Sequence, residues 1–277
     1  MRKLIIVRGG GDIAAGTIFA LRRAGFSVLV LEARYPSAIR RCVAFSEAVY
    51  DGVSEVEGMV CRLASSYDSA CEIINLGEIA MLVDEKCEVL EKVRPWALVD
   101  AIIAKRNLGT KREMAPKTIA LGPGFTAGKD VDLVIETMRG HDLGRIIENG
   151  EARKNTGIPG LIGGFTIERV IHSPGSGVLC NMAQIGDIVE QGQVIAKIRN
   201  ERCEIPVKAS ISGVLRGIIR DGFKVETGLK IADIDPRVSE RENCFTISDK
   251  ARSIGGSVLT GLMYLDSRDT GNSERLQ

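Results

Sequence analysis

The chain has 277 residues, with 37 Lys and Arg against 36 Asp and Glu and a formal net charge of +1. That length exceeds one comfortable hydrophobic core, the balanced charge excludes a broad attraction to nucleic acid or anionic membrane, and 4% aromatic residues are too few for single-strand stacking platforms. No apolar run approaches the ~18 residues of a membrane span, and the run after Met1-Arg2-Lys3 is too short for a signal peptide, so a cytoplasmic location is expected.

The apolar run from Leu4 stops at Gly9-Gly10-Gly11, as a buried parallel strand stops in a tight turn. From Ile13 the period changes: Ile13, Ile18, Leu21 and Ala24 share one helical face, with Arg22 and Arg23 outward. Gly25 ends that helix and Phe26 to Leu31 is a second strand. Gly9-x-Gly11-x-x-Ala14 followed by Glu32 at the second strand's end is the arrangement that binds dinucleotides. The glycines let backbone approach a phosphate, the N–H groups of Gly9, Gly10, Gly11, Asp12 and Ile13 face its charge, and Glu32 accepts bonds from a ribose. Asp12 stands against this, since its carboxylate repels phosphate; the competing reading is a strand–helix–strand unit whose glycines serve packing alone.

Further along, Val43 to Val49 reads as a third strand or a connection, and Val56 to Leu63 as a strand. Ser65 caps a helix to Asn75, Ile79 to Val83 is a buried strand, and Asp84 caps a helix through Val93 that Pro95 terminates. Trp96 to Ile103 is another strand, giving a mostly parallel sheet in a domain over residues 1–106. A β-rich connecting segment over 107–165 holds Gly122-Pro123-Gly124-Phe125-Thr126, a second backbone nest after a strand. It is not a Walker A loop, because Pro123 and Asp130 occupy positions that motif reserves for Gly and for Ser or Thr. Val131 to Thr137 alternates like a half-buried strand and leads into Glu136, Arg139, His141, Asp142 and Arg145. That density is either a solvated turn or an anion site with His141 as proton donor.

Gly177-Val178-Leu179 recurs as Gly213-Val214-Leu215, and Gly186, Val189, Glu190, Gly192, Ile195, Ala196 and Ile198 recur at the same shift. Each copy is a set of short strands unable to bury its own apolar face, so two copies must lock together over 166–236. Ile247, Ala251, Ile254, Val258 and Leu262 then have helical spacing, and a polar, frayed tail is expected from Asp266, within a terminal segment 237–277. The seven cysteines (Cys42, Cys61, Cys71, Cys87, Cys180, Cys203, Cys244) contain no C-x-x-C pair and read as free thiols. With only His141 and His172 available, no metal site is expected.

The repeat resembles the biotinyl/lipoyl carrier domain, a barrel-sandwich hybrid, and the resemblance puts Arg202 where the carrier lysine belongs. A guanidinium forms no such amide, so the fold is expected without the carrier chemistry. The chain as a whole, through Val7-Arg8-Gly9-Gly10-Gly11-Asp12, Gly122-Pro123-Gly124-Phe125, Glu136-Thr137-Met138-Arg139-Gly140-His141 and Asn155-Thr156-Gly157, resembles the accessory proteins of the selenium-dependent molybdenum hydroxylase system (YqeB-like). Its N-terminal part is similar to that of the xanthine dehydrogenase accessory (XdhC-like) proteins. The resemblance implies an α/β chain with an N-terminal Rossmann-like sheet, and a role in processing or inserting a molybdopterin-type cofactor or its dinucleotide. Its partners would be a molybdenum hydroxylase apo-enzyme and selenium-delivery proteins, with homo-oligomers also considered. On this view Gly9 to Ile13, Glu32, Gly122 to Thr126, Thr137 and Arg145 face the cofactor, with Glu136, Arg139 and His141 as catalytic candidates. Asp12 suits a pterin's N–H groups. A cysteine such as Cys42 or Cys61 could carry selenium, but neither sits in a cationic motif that marks a lowered pKa, Cys61 lies in an apolar run, and a structural thiol is expected. Two other classes stay open: an NAD(P)-dependent oxidoreductase and a non-catalytic scaffold docking through the barrel-sandwich.

Overall fold

The computed structural model describes residues 3–157, 160–201 and 203–274, with side chains through Arg268. The chain forms two units: Met1–Pro36, Ala44–Asn155 and Ile247–Gln277 make the first, and Ser37–Val43 with Thr156–Thr246 the second. No described helix is long and apolar enough to cross a membrane.

The first unit is built on a sheet of nine strands: β1 (Leu4–Arg8), β2 (Ser27–Glu32), β3 (Val53–Val56), β4 (Met59–Leu63), β5 (Ile79–Val83), β6 (Ala97–Asp100), β7 (Thr118–Leu121), β9 (Leu133–Ile135) and β10 (Ile146–Ile147). A separate pair joins β8 (Thr126–Ala127) to β11 (Gly150–Glu151). The order is β10-β9-β7-β6-β1-β2-β5-β4-β3, parallel from β9 to β4 with antiparallel strands at both edges. Continuous apolar runs such as Ile5-Ile6-Val7 and Val28-Leu29-Val30 are wholly buried, as strands covered on both faces must be. From β1 the chain runs outward through β2 on one side and β6 on the other, so its order reverses at the carboxyl ends of β1 and β6.

Four helices serve this unit: α1 (Asp12–Arg23), α2 (Ala48–Asp51), α3 (Tyr67–Asn75) and α4 (Asp249–Glu274). Ser66 rather than Ser65 caps α3, in a reciprocal capping box with Ser69. Ala70, with Ile73 and Ile74, packs on a cluster that includes Ile6, Leu29, Leu31 and Leu98. α4 lies against α1 at a crossing that only glycine allows: a Cβ on Gly16 would enter the Ala251 carbonyl, and one on Gly255 would enter that of Gly16.

Several expectations are corrected here. The sheet does not stop at residue 106, because β7 and β9 extend it, and 107–155 is part of the first unit. Val43 to Val49 is short helical turns rather than a strand, and Val56 to Leu63 is one arm and the turn of a hairpin, closed by Glu57 and Gly58 at positive φ. The helix expected over 84–93 shrinks to a turn at Glu88–Glu91, because Cys87 takes a left-handed conformation (φ 60). Asp84 still caps it, accepting from Glu88 and Val89 N–H at 2.9 Å. The last helix does not fray at Asp266: it continues to Glu274, and Asp266 holds Lys3 and Lys117 at 2.8 and 3.3 Å.

The second unit carries two four-stranded antiparallel sheets. One is β12 (Val170–His172), β19 (Lys230–Asp235), β17 (Gly213–Ile218) and β14 (Ile188–Val189). The other is β16 (Glu204–Lys208), β15 (Val194–Arg199), β13 (Gly177–Asn181) and β18 (Lys224–Val225). The repeat accounts for this pairing. Gly186 N–H donates to Leu215 O and Gly222 N–H to Leu179 O, so each copy closes the other through equivalent atoms. Likewise β13 pairs with β18 of the second copy and β17 with β14 of the first. Leu179, Val189, Ile195 and Ile198 join Leu215, Val225, Ile231 and Ile234 in one core. Arg202, placed by resemblance at the carrier position, lies outside the described residues, as do Ile158 and Pro159.

Candidate functional site

The turn after β1 divides at Gly10. Gly9, at φ +92, donates to Leu31 O at 2.8 Å and lies so close to the Ala101 and Ile102 backbone that a side chain there would be both strained and crowded. Gly10 N–H donates to Glu32 Oε2 at 2.7 Å, and its carbonyl accepts from Ser46 N–H at 2.9 Å. These two glycines therefore serve the fold. Gly11 differs: at φ −68 and ψ −178 it is the N-cap of α1, no side chain caps the helix, and a Cβ placed there would meet nothing within 4 Å. The first turn of α1, with Asp12 and part-exposed Ile13, opens where phosphates meet helix N-termini in other sheets of this kind.

Glu32 is in the expected place with a different first duty. Its Oε2 holds Gly10 and its Oε1 accepts from Ala33 N–H at 2.7 Å, so it braces the glycine turn and offers a ribose only its remaining lone pairs. Burial raises its pKa, opposed by the Ala33 and Gly10 amides.

Beneath the turn lies a buried polar network that sequence reasoning missed. Arg8 and Asp100 are register partners at the ends of β1 and β6, 4% and 2% exposed. Arg8 Nη1 approaches Asp100 Oδ2 at 3.4 Å and donates to Thr110 Oγ1, and Nη2 donates to Glu85 O at 2.9 Å. Thr110 Oγ1 donates in turn to Asp100 Oδ2 at 2.6 Å. Burial raises the Asp100 pKa. The signal was present: one cation and one anion each close an otherwise apolar strand.

The 136–145 loop is held from inside. Glu136, 3% exposed, accepts from Met138 N–H at 2.7 Å and Arg153 N–H at 2.8 Å. Arg139 grips Asp249 at 2.7 and 3.0 Å. Both side chains are engaged in shaping the loop. His141 is exposed, and Arg145 bonds Asp142 at 3.3 Å. The Gly122-Pro123-Gly124 nest is likewise a packing device. Gly122 N–H donates to Ile135 O and the residue abuts the buried Thr137 hydroxyl, while Gly124, at φ +107, lies on the Arg106 backbone. Phe125 is buried among Ala127, Val131 and Val134, and Thr126 Oγ1 donates to Glu151 at 3.2 Å.

Two sets of expected residues do converge. Lys250, in the first turn of α4, lies in the combined field of Asp12, Arg139, Glu136 and Asp249. Nothing in the sequence links residue 250 to residue 12; the Gly16–Gly255 crossing does. Among the described residues no cluster of three or more His, Cys, Asp or Glu is arranged for a metal ion. Burial drives the Cys61 thiol far up and that of Cys87 to about 11, which disfavours either as a thiolate carrier.

Residues 168–259 match the family described as RND related, barrel-sandwich hybrid domain. The chain is 49% identical over 263 residues to the Escherichia coli (strain K12) protein "Uncharacterized protein YqeB". That alignment takes in 95% of this chain but 48% of the relative, so the chain spans about half the relative's length. Among solved structures, an aspartoacylase family protein from Mesorhizobium loti is 14% identical with a TM-score of 0.30, covering 84% of each chain. The product-bound ectoine utilization protein EutE (DoeB) from Ruegeria pomeroyi is 11% identical with a TM-score of 0.24, covering 83% of this chain and 56% of that one.

Proposed function

We propose that the chain is an accessory factor in maturing a selenium-dependent molybdenum hydroxylase, and that it binds a molybdopterin-type or other nucleotide-bearing ligand over the start of α1. The first unit is then a Rossmann-type binding domain and the second a biotinyl/lipoyl-type module without carrier chemistry. The observation that carries the reading is the uncapped start of α1, with open space above Gly11, at the point where the strand order reverses. Gly11 and Ile13 would present N–H groups to a phosphate, with Glu32 beside them for a ribose hydroxyl. A bound molybdopterin supplies the metal-binding chemistry of the hydroxylase; this chain's part is to hold the anionic portion and shelter it before transfer. The pathway assignment rests on the motif resemblance, and the apo-hydroxylase and selenium-delivery partners belong to the same proposal.

The test is mass spectrometry with molybdenum and selenium analysis of the chain purified from a host that makes molybdopterin. A co-purified pterin nucleotide supports the reading. An NAD(H)-loaded chain, with hydride transfer to a small substrate, would replace it by the oxidoreductase reading. No ligand under either condition would remove both.

A further inference from the structure

We propose that Arg8 is a positioning residue of the ligand crevice, its guanidinium fixing the segments after β5 and β6 in the arrangement that shapes the crevice beside Gly9. The inference rests on the cofactor-binding reading above and adds to it the device that sets the walls of the site. Arg8 closes β1, and its register partner Asp100 closes β6, where the strand order reverses. All four N–H bonds of the two terminal guanidinium nitrogens are engaged. Nη1 reaches Asp100 Oδ2 at 3.4 Å and the Thr110 hydroxyl, and Nη2 donates to Glu85 O at 2.9 Å and Leu108 O at 3.3 Å. Asp100 Oδ1 accepts from Ile102 N–H at 3.2 Å, and Asn107 Oδ1 ties the far end of the same loop, accepting from Gly109 and Thr110 N–H at 2.8 Å. Glu85 extends the grip to the loop after β2, its Oε1 accepting from Arg34 N–H at 3.1 Å. The loop after β6 in turn meets the glycine turn, since the Gly9 backbone lies against Ala101 and Ile102.

The backbone of the gripped segments shows what the grip is for. Among the described residues four non-glycines take a positive φ, and three of them stand in the two segments that Arg8 holds. Cys87 (φ 60) is two residues after Glu85, and Ile103 and Lys105 (φ 58 and 61) lie between Asp100 and Leu108. For a β-branched residue such as Ile103 this conformation is a strained outlier. Backbone of this kind persists only where its surroundings over-determine it, and it gathers at ligand clamps. Burial does not supply the restraint here, because Ile102 and Leu108 are 37% and 44% exposed. The guanidinium and its partners supply it. Stability alone does not call for the pair, since apolar residues of like volume would close the two strand ends as well. The geometry uses the fixed directions of a planar fork, which holds carbonyls of two different segments at once; an ammonium acts as a point charge and cannot.

The experiment compares the full chain with its Arg8→Met/Asp100→Leu and Arg8→Lys variants by amide hydrogen exchange without ligand and by calorimetric titration with ADP, CDP and GDP. In the double variant the amides of β1, β2 and β6 should stay as protected as in the wild type, while those of residues 101–110 exchange about tenfold faster or more. Affinity for the diphosphates should fall by about tenfold or more. Arg8→Lys, which keeps the charge and loses the fork, should also free the loop and weaken binding. A merely structural pair would instead speed exchange throughout the sheet and leave the affinity of the folded protein unchanged. Wild-type exchange of 101–110 in the double variant, or a freed loop with unchanged affinity, would overturn the role of Arg8 and leave the site standing. Absence of binding of every probe by the wild-type chain would overturn the cofactor-binding reading and this inference with it. Should the double variant fail to fold, Thr110→Val decides on the same two readouts: a faster loop with weaker binding supports the proposal, and no change in either overturns it.

Discussion

Glu32 holds two backbone amides from a buried position, so its ionisation is tied to the glycine turn. Burial raises its folded pKa above the ordinary glutamate value of the unfolded chain, with the amides of Ala33 and Gly10 opposing. In the window between those two values the folded state binds more protons than the unfolded one. This group's contribution to stability therefore grows as pH falls through its folded pKa and shrinks as pH rises. Urea midpoints measured from about pH 7 down to 5 should show this component in the wild type and lose it in Glu32→Gln. The Arg8–Asp100 pair should behave as a buried pair broken on one side. Asp100→Ala leaves the guanidinium without its anion and is expected to cost about 3–5 kcal/mol, while the paired change to Arg8→Met with Asp100→Leu costs less. Equal losses from the single and double changes would contradict that account.

At the scale of elements, adjacent glycines in α4 offer a sharp contrast. A Cβ on Gly255 would overlap the Gly16 backbone, whereas one on exposed Gly256 meets nothing. Gly256→Ala should stabilise by about 0.5–1 kcal/mol through helix propensity. Gly255→Ala should destabilise, because the two helices must separate. Thermal denaturation of the two variants checks it; a stabilised Gly255→Ala would mean that the helices do not cross there. The helical spacing of Ile247, Ala251 and Ile254 was legible in the sequence, as was the change of period from β1 into α1. Their pairing was not, because two isolated glycines far apart in the chain carry no local pattern. The same holds for the turn at Cys87, where a left-handed residue broke an otherwise helical run.

For the whole molecule, the repeat announced the second unit because identical spacing at glycine turns demands identical pairing, and Gly186 and Gly222 make equivalent bonds. The first unit was legible only in part. The sheet runs on past residue 106 through β7 and β9, four and three residues long, too short to be read confidently as central strands of the same sheet. Likewise the motif letters of Glu136, Arg139 and Gly122 pointed to a place, but their partners made them braces of that place. What remains open to a ligand is the start of α1. The most direct test is ligand content and nucleotide affinity of the Gly11→Val variant, whose backbone (φ −68) and surroundings accept a side chain without displacing anything. The account predicts a folded variant with a modestly lowered melting temperature, valine being a poorer N-cap than glycine, and loss of the bound nucleotide-bearing ligand; a folded variant that keeps its ligand would contradict it.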